Sequence, residues 1–124
     1  MSSASVVGSC AGTGANGTIS VTLPDLPEGA VVQITLSHSG QGSFTATPNF
    51  TPTSQTGTSY VVTGTGATFV GQFTIQFILG NNQQGTVTAT VQAVSGVTVE
   101  GDTSGFVTKR RDGGSQNYNQ CSAG

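Results

Sequence analysis

The chain has 124 residues, a net charge of −2 and charged side chains at only 6% of its positions, against roughly 25% in an average soluble protein. This length predicts one domain with one modest core. The weak negative charge argues against a nucleic-acid-binding protein, which would carry a basic stripe. No apolar run approaches the ~18 residues of a membrane span. Residues 1–5 lack the basic and apolar parts of a secretory signal, so we expect a protein released without export, or a fragment of a surface protein.

Threonine, serine, glycine, glutamine and asparagine take the place of the missing charges. Threonine and valine suit a pleated, half-buried surface, and glycine, asparagine and serine suit turns. A net charge near zero promotes association between molecules. The composition therefore favours a subunit packed among partners over the alternative, a secreted domain that uses hydroxyl groups for solubility.

Apolar residues alternate with polar ones at a period of two, which predicts β-strands. In chain order the strands fall at 17–23, 30–37, 44–46, 60–62, 67–79, 86–93 and 97–99, and a last strand carries Phe106 and Thr108. The stretch 47–58 is predicted as a long loop with an irregular edge strand. Phe69, Phe73, Ile75 and Phe77 mark the strongest buried face, and Val70 with Gly71 indicates a bulge.

Seven or eight strands at this spacing predict an all-β sandwich or barrel, with antiparallel strands, over residues 16–108. Residues 1–15 are predicted to be an N-terminal tail and residues 109–124 a C-terminal tail. Both tails have compositions that are typically flexible in isolation, so we expect neighbouring subunits to hold them.

Few residues offer chemistry. His38, the only histidine, lies between Ser37 and Ser39, and adjacent strand residues point to opposite faces, so we expect an exposed turn residue rather than a catalytic base. Asp25 with Glu28, or Glu100 with Asp102, suits loop solvation better than a calcium site, which needs more ligands. We therefore expect no enzyme activity, no metal and no cofactor.

All three basic residues of the chain stand together as Lys109, Arg110 and Arg111. They are candidates for docking on an acidic patch of a partner. The alternative is a solvated strand end. Lys109 is also the only lysine that a Lys–Asn isopeptide crosslink would have, which we consider a minor alternative.

The two cysteines, Cys10 and Cys121, lie on either side of the predicted sandwich. Their spacing suits neither zinc nor a redox pair. If the first strand starts at one pole and the last ends at the other, an intrachain bridge needs tails that fold back across the domain. We therefore expect intermolecular disulfides. The alternatives are free thiols and an intrachain bond, which would stabilise the fold by about 4.7 kcal/mol in the chain-entropy model.

The segments 17–23, 72–77 and 86–91 resemble strands of bacterial and phage immunoglobulin-like domains, over about residues 16–108. This resemblance implies a single immunoglobulin-like β-sandwich over that range. The whole chain resembles a small decoration, linking or minor capsid protein of a tailed bacteriophage. This resemblance implies a structural virion protein at the virion surface that holds other capsid proteins through its tails and disulfides, as a homo- or hetero-oligomer without nucleic acid or membrane. The alternative is an extracellular adhesion, pilus or carbohydrate-binding module.

Overall fold

The computed structural model describes residues 2–12, 14–113, 118 and 120–124. The predicted all-β class is confirmed, because the regular structure in these ranges consists of strands alone. In chain order the strands are β1 (Ser2–Ser9), β2 (Asn16–Leu23), β3 (Val31–Gly40), β4 (Ser43–Pro48), β5 (Ser54–Thr56), β6 (Ser59–Thr63), β7 (Phe69–Ile78), β8 (Gln84–Ser95), β9 (Val99–Asp102), β10 (Ser104–Arg110) and β11 (Gln120–Ala123).

The strands form two sheets in a sandwich-like arrangement. The five-stranded sheet has the order β4-β7-β2-β1-β9, and the six-stranded sheet has the order β11-β10-β8-β3-β6-β5. The pairing of β1 with β9 is parallel, whereas the other strand pairs among the described residues are antiparallel. After Ser95 the chain therefore leaves the six-stranded sheet, adds β9 to the five-stranded sheet, and returns to the six-stranded sheet in β10.

The core lies between the sheets and follows the period-two pattern. Burial of each large apolar side chain stabilises the fold by about 1.5–3 kcal/mol. The most deeply buried apolar residues come from strands β2, β3, β7, β8 and β10, and include Ile19, Val21, Leu23, Val32, Ile34, Phe73, Ile75, Val87 and Val107.

The predicted bulge at Val70 and Gly71 was wrong. The register of β2 with β7 runs without a shift from Asn16 opposite Gln76 to Leu23 opposite Phe69. Gly71 instead leaves room for an aromatic ring, because a Cβ there would lie 2.8 Å from Cδ1 of Phe50. The Phe50 ring packs edge-on against the rings of Phe69 and Phe73.

The predicted N-terminal tail over 1–15 was also wrong, since β1 is an inner strand between β2 and β9. Ala4 and Val6 enter the core while Ser3 and Ser5 face outward. Small side chains at these positions give only a weak strand pattern, which explains the error. At the other end, residues 109 and 110 continue β10, and β11 lies within the predicted tail of 109–124. Residues 1, 13, 114–117 and 119 of the predicted tails lie outside the described residues.

Candidate functional site

The residues with distinctive chemistry meet at one end of the sandwich, around the C-terminal segment. We use that name for Tyr118 together with residues 120–124. Strand β11 runs back antiparallel to β10, so that Cys121 lies opposite Lys109 and Ala123 lies opposite Val107. This return brings the end of the chain alongside β1.

Cys10 and Cys121 form a disulfide within the chain, with their Cα atoms 5.9 Å apart. The structure thus differs from the expected intermolecular pairing. The geometric premise of that expectation was wrong: β11 folds back along β10, so the two cysteines lie at the same end of the sandwich instead of at opposite poles.

Gly124 joins the two sheets where β1 approaches β10. Its carbonyl oxygen accepts hydrogen bonds from the backbone N–H groups of Gly8 and Phe106, each at 3.0 Å. Its own N–H donates to the carbonyl oxygen of Phe106 at 3.2 Å. The two strands are so close that a Cβ on Gly8 would overlap the carbonyl oxygen of Phe106. Glycine is therefore required on β1 at this crossing.

Tyr118 anchors the segment in the core and is only 8% exposed. Its hydroxyl accepts a hydrogen bond from the backbone N–H of Leu79 at 3.3 Å and lies 3.5 Å from the carbonyl oxygen of Phe77, to which it donates. The aromatic ring thus enters the apolar core while the hydroxyl satisfies backbone groups at the end of β7, a common role for buried tyrosine.

Lys109 is fully buried, with 0% of its side chain exposed. Its Nζ donates a hydrogen bond to the carbonyl oxygen of Gly12 at 2.9 Å. Burial lowers the pKa of the Lys109 ammonium by desolvation. The prediction that Lys109 docks on a partner was wrong, because the side chain points into the sandwich, on the same face of β10 as Val107.

The two arginines differ from Lys109 in position. Arg110 points outward and its Nε lies 3.5 Å from Oδ1 of Asp112. Arg110 also lines a shallow groove on the six-stranded sheet with Gln84 and Gln120. Arg111 donates from Nη1 to the carbonyl oxygen of Leu79 at 2.9 Å. Of the predicted basic triplet, Arg110 is therefore the residue best placed to meet a partner.

His38 lies on β3 with its ring stacked on Phe44, the centroids 5.7 Å apart. Its Nε2 is buried without a hydrogen-bond partner in the described structure. The expectation of an exposed turn residue was wrong, since the ring is half-buried beside Gly85. Across residues 2–12, 14–113, 118 and 120–124, no three His, Cys, Asp or Glu side chains are grouped so that they could hold a metal.

The outer sheet faces carry a feature that the sequence reasoning missed. On the six-stranded sheet, one row of directly paired residues crosses five strands and consists of hydroxyl residues alone: Thr56, Ser59, Thr35, Thr90 and Ser104. A second row crosses four strands as Ser39, Thr86, Thr108 and Ser122, with the hydroxyl oxygens of Thr86 and Thr108 2.7 Å apart.

The five-stranded sheet repeats this arrangement in the row Thr47, Thr74, Thr18 and Ser9. The signal in the sequence was the alternation of threonines at 86, 88 and 90, but strand order and register were needed to show that the rows align. The charged residues lie in the β2–β3 connection, on the edge strand β9, in β10 and directly after β10 instead. No Asp, Glu, Lys or Arg occurs in any of the strands β1 to β8.

Within the described ranges, no helix is long and apolar enough to cross a membrane. Comparison with known proteins found no matching family model, no matching curated protein and no matching solved structure, so the chain is characterised by its own fold and chemistry: an all-β sandwich with uncharged sheet faces and an internal Cys10–Cys121 disulfide.

Proposed function

We propose that this protein is a structural subunit of a virus particle, a decoration, linking or minor capsid protein that packs between neighbouring capsid proteins. The observation that carries this proposal is the absence of charged residues from strands β1 to β8. Removing a charge from water is costly unless it is paired, whereas hydroxyl and amide groups are readily satisfied by partner groups or bridging water. Sheet faces of this kind are suited to burial against other proteins.

The strand edges support the same function. The edge strands β4, β5 and β11 carry no Asp, Glu, Lys or Arg. Free proteins usually protect exposed edges with such charges, because an unpaired row of N–H and C=O groups recruits other strands. Neighbouring subunits that cover these edges would supply that protection. Strand β9, with Glu100 and Asp102, is the charged exception.

In this proposal the disulfide has a different task from the one first expected. It fixes the end of the chain to β1 through an internal bond, so that the subunit presents a rigid end. Arg110 at that end is the contact for an acidic group of the partner. In this proposal the protein needs no cofactor and has no catalytic role. Its partners are other capsid proteins at the virion surface rather than nucleic acid or membrane.

The proposal includes an immunoglobulin-like assignment of the sandwich. The constant-type domain of that class pairs strands ABED in one sheet and CFG in the other. In this assignment β1-β2-β7-β4 are matched to A, B, E and D, and β3-β8-β10 are matched to C, F and G, because the strand order within each sheet is the same. Strands β5, β6, β9 and β11 are additions to that plan.

The test compares particles that carry the gene with particles from which it has been deleted. Deletion is expected to lower the temperature at which particles release their genome, and the purified wild-type chain should restore it. Thr88→Lys introduces a charge at the centre of the six-stranded face, where Thr88 lies opposite Ser37 and Phe106, and should fail to restore it. Thr65→Lys, in an exposed loop, is the matched control and should succeed.

Particles that never contain the chain would contradict the proposal. If the isolated chain then binds one class of glycan in an array, the alternative function as an adhesion, pilus or carbohydrate-binding module would be favoured.

A further inference from the structure

The buried side chain of Lys109 lies beside the disulfide of the chain. Lys109 and Cys121 are directly opposite each other on β10 and β11, so their side chains leave the sheet on the same face. Both side chains cross to the segment that follows β1, where Cys121 is bonded to Cys10 and Nζ of Lys109 donates to the carbonyl oxygen of Gly12. The lysine side chain and the disulfide therefore span the same gap.

The ammonium of Lys109 has no carboxylate partner in the part of the chain that the structure describes. The carboxylate of Asp112, the acid closest in sequence, lies beside the outward-facing Arg110, and strands β1 to β8 contain no Asp or Glu. Removing a charge from water is costly unless it is paired, and this desolvation lowers the pKa of Lys109. The other titratable side chains near this end are uncharged or cationic at pH 7, namely Tyr118, His38 and Arg111.

We infer that Lys109 is the counter-ion of a Cys10 thiolate, which forms when a small-molecule thiol opens the Cys10–Cys121 disulfide. Cys10 lies two residues before Gly12, whose carbonyl oxygen is 2.9 Å from Nζ of Lys109. A lysine beside a cysteine favours the thiolate over the thiol. The disulfide is thus a site of reversible thiol exchange, and opening it gives the buried cation a partner. This inference goes beyond the proposed function, which assigns the disulfide no reactivity.

The sulfur of Cys121 is the one open to attack. Cys121 lies on β11, the edge strand of the six-stranded sheet, so one side of this strand has no neighbouring strand to cover it. The residue is half-buried, and its Sγ lies 3.9 Å from the carbonyl oxygen of Ser122 in an exposed contact. Attack at this sulfur makes Cys10, on the side of Lys109, the leaving group.

The exchange step conserves atoms and electrons. The thiolate of the small molecule attacks Sγ of Cys121 and forms a mixed disulfide. The bond to Cys10 breaks, and Cys10 leaves with the electron pair as a thiolate beside the ammonium of Lys109. One disulfide is broken and one is formed, so no oxidant is consumed. Attack of the Cys10 thiolate on the mixed disulfide reverses the step and releases the small thiol.

The test adds 2-mercaptoethanol to the oxidised full chain at pH 7, quenches samples with iodoacetamide and identifies the modified peptides by mass spectrometry. Mercaptoethanol should be found mainly on Cys121 and the iodoacetamide adduct mainly on Cys10. Lys109→Met should slow the opening at least about five-fold, because a less stabilised thiolate is a poorer leaving group. Arg110→Met, the matched control, removes an outward-facing cation that water and salt screen, and should stay within about two-fold. Equal rates in wild type and Lys109→Met, or adducts without preference, would overturn the inference.

A second measurement separates ion pairing from packing, since a better-packed variant also opens more slowly. The fully reduced chain is titrated in the cold, and thiolate is followed by its ultraviolet absorbance. One thiol should ionise at least about one pH unit lower in the wild type than in Lys109→Met. Equal midpoints would contradict the ion pair, and so would a reduced wild type that circular dichroism shows to be unfolded, because the pair exists only in the folded chain. Both measurements use the isolated chain, so their outcome is independent of the particle test above.

Discussion

Removal of the Cys10–Cys121 disulfide should destabilise the whole sandwich, because the bond closes most of the chain into one loop. The two cysteines are 111 residues apart in sequence. In the chain-entropy model, a closed loop of this length stabilises the folded state by about 4.7 kcal/mol relative to the open chain. Cys10→Ser combined with Cys121→Ser is the perturbation that removes the bond and leaves a small polar side chain at both positions.

The thermal shift follows from the size of the protein. An entropy of unfolding of ~2.1 cal/mol/K per residue over 124 residues gives about 260 cal/mol/K. A loss of about 4.7 kcal/mol then corresponds to a fall in Tm of roughly 18 °C. Differential scanning calorimetry of the oxidised wild type and the double variant measures this fall, with reduced wild type as the matched control that has no mutation.

A fall of under about 5 °C would refute this reasoning. It would mean that the C-terminal segment detaches on its own while the rest of the sandwich stays folded, so that the bond restrains only a local equilibrium. Urea unfolding distinguishes the two cases. Global destabilisation lowers the midpoint of the main transition, whereas local detachment leaves that midpoint in place.

Three further predictions address single side chains. Lys109→Met should raise the free energy of unfolding at pH 7 by about 1 kcal/mol. Burial lowers the pKa of Lys109, so just below pH 10.5 only the unfolded lysine stays protonated and wild-type stability rises with pH. Urea titrations at pH 7 and 10 should show this rise in the wild type and not in the variant. An equal rise in both proteins would contradict the prediction. Tyr118→Phe should lower the free energy of unfolding by about 1 kcal/mol, because it leaves the N–H of Leu79 unsatisfied. Tyr60→Phe should cost little at pH 7, and it should reduce the loss of stability above pH 10 that the burial-raised pKa of Tyr60 causes. Equal costs of the two variants at pH 7 would argue against the Tyr118 anchor. Gly8→Ala should lower the free energy of unfolding by at least ~3 kcal/mol or prevent folding, because its Cβ meets the backbone of β10. Gly14→Ala has open space around it and should change the free energy of unfolding by no more than ~0.5 kcal/mol. Similar Tm values for the two variants would count against the close crossing.

The sequence was sufficient for the fold class and for most central strands. Large apolar residues alternating with threonine and serine, as in β2 and β8, leave only one face that can be buried. The same rule failed for β1, where Ala4 and Gly8 are too small to give a clear pattern. It also identified the last strand by Phe106, although Val107 and Lys109 are the residues of β10 that face the core.

The candidate site was only partly predictable, because its contacts are long-range. Cys10, Cys121 and the basic triplet were found by residue type, but their arrangement depends on β11 folding back beside β10, which no local pattern indicates. Lys109 was read as a surface charge because lysine is almost never fully buried. The role of Tyr118 depends on a backbone N–H at Leu79, 39 positions away in sequence, and this too required the structure.

The central claim is that the chain is a structural component of a virus particle. Quantitative mass spectrometry of purified particles that package its gene tests this most directly, with isotope-labelled peptides of the chain as internal standards. The account predicts a fixed ratio of many copies of the chain per packaged genome, unchanged by further purification. Fewer than one copy per particle, or a ratio that falls with each purification step, would contradict it.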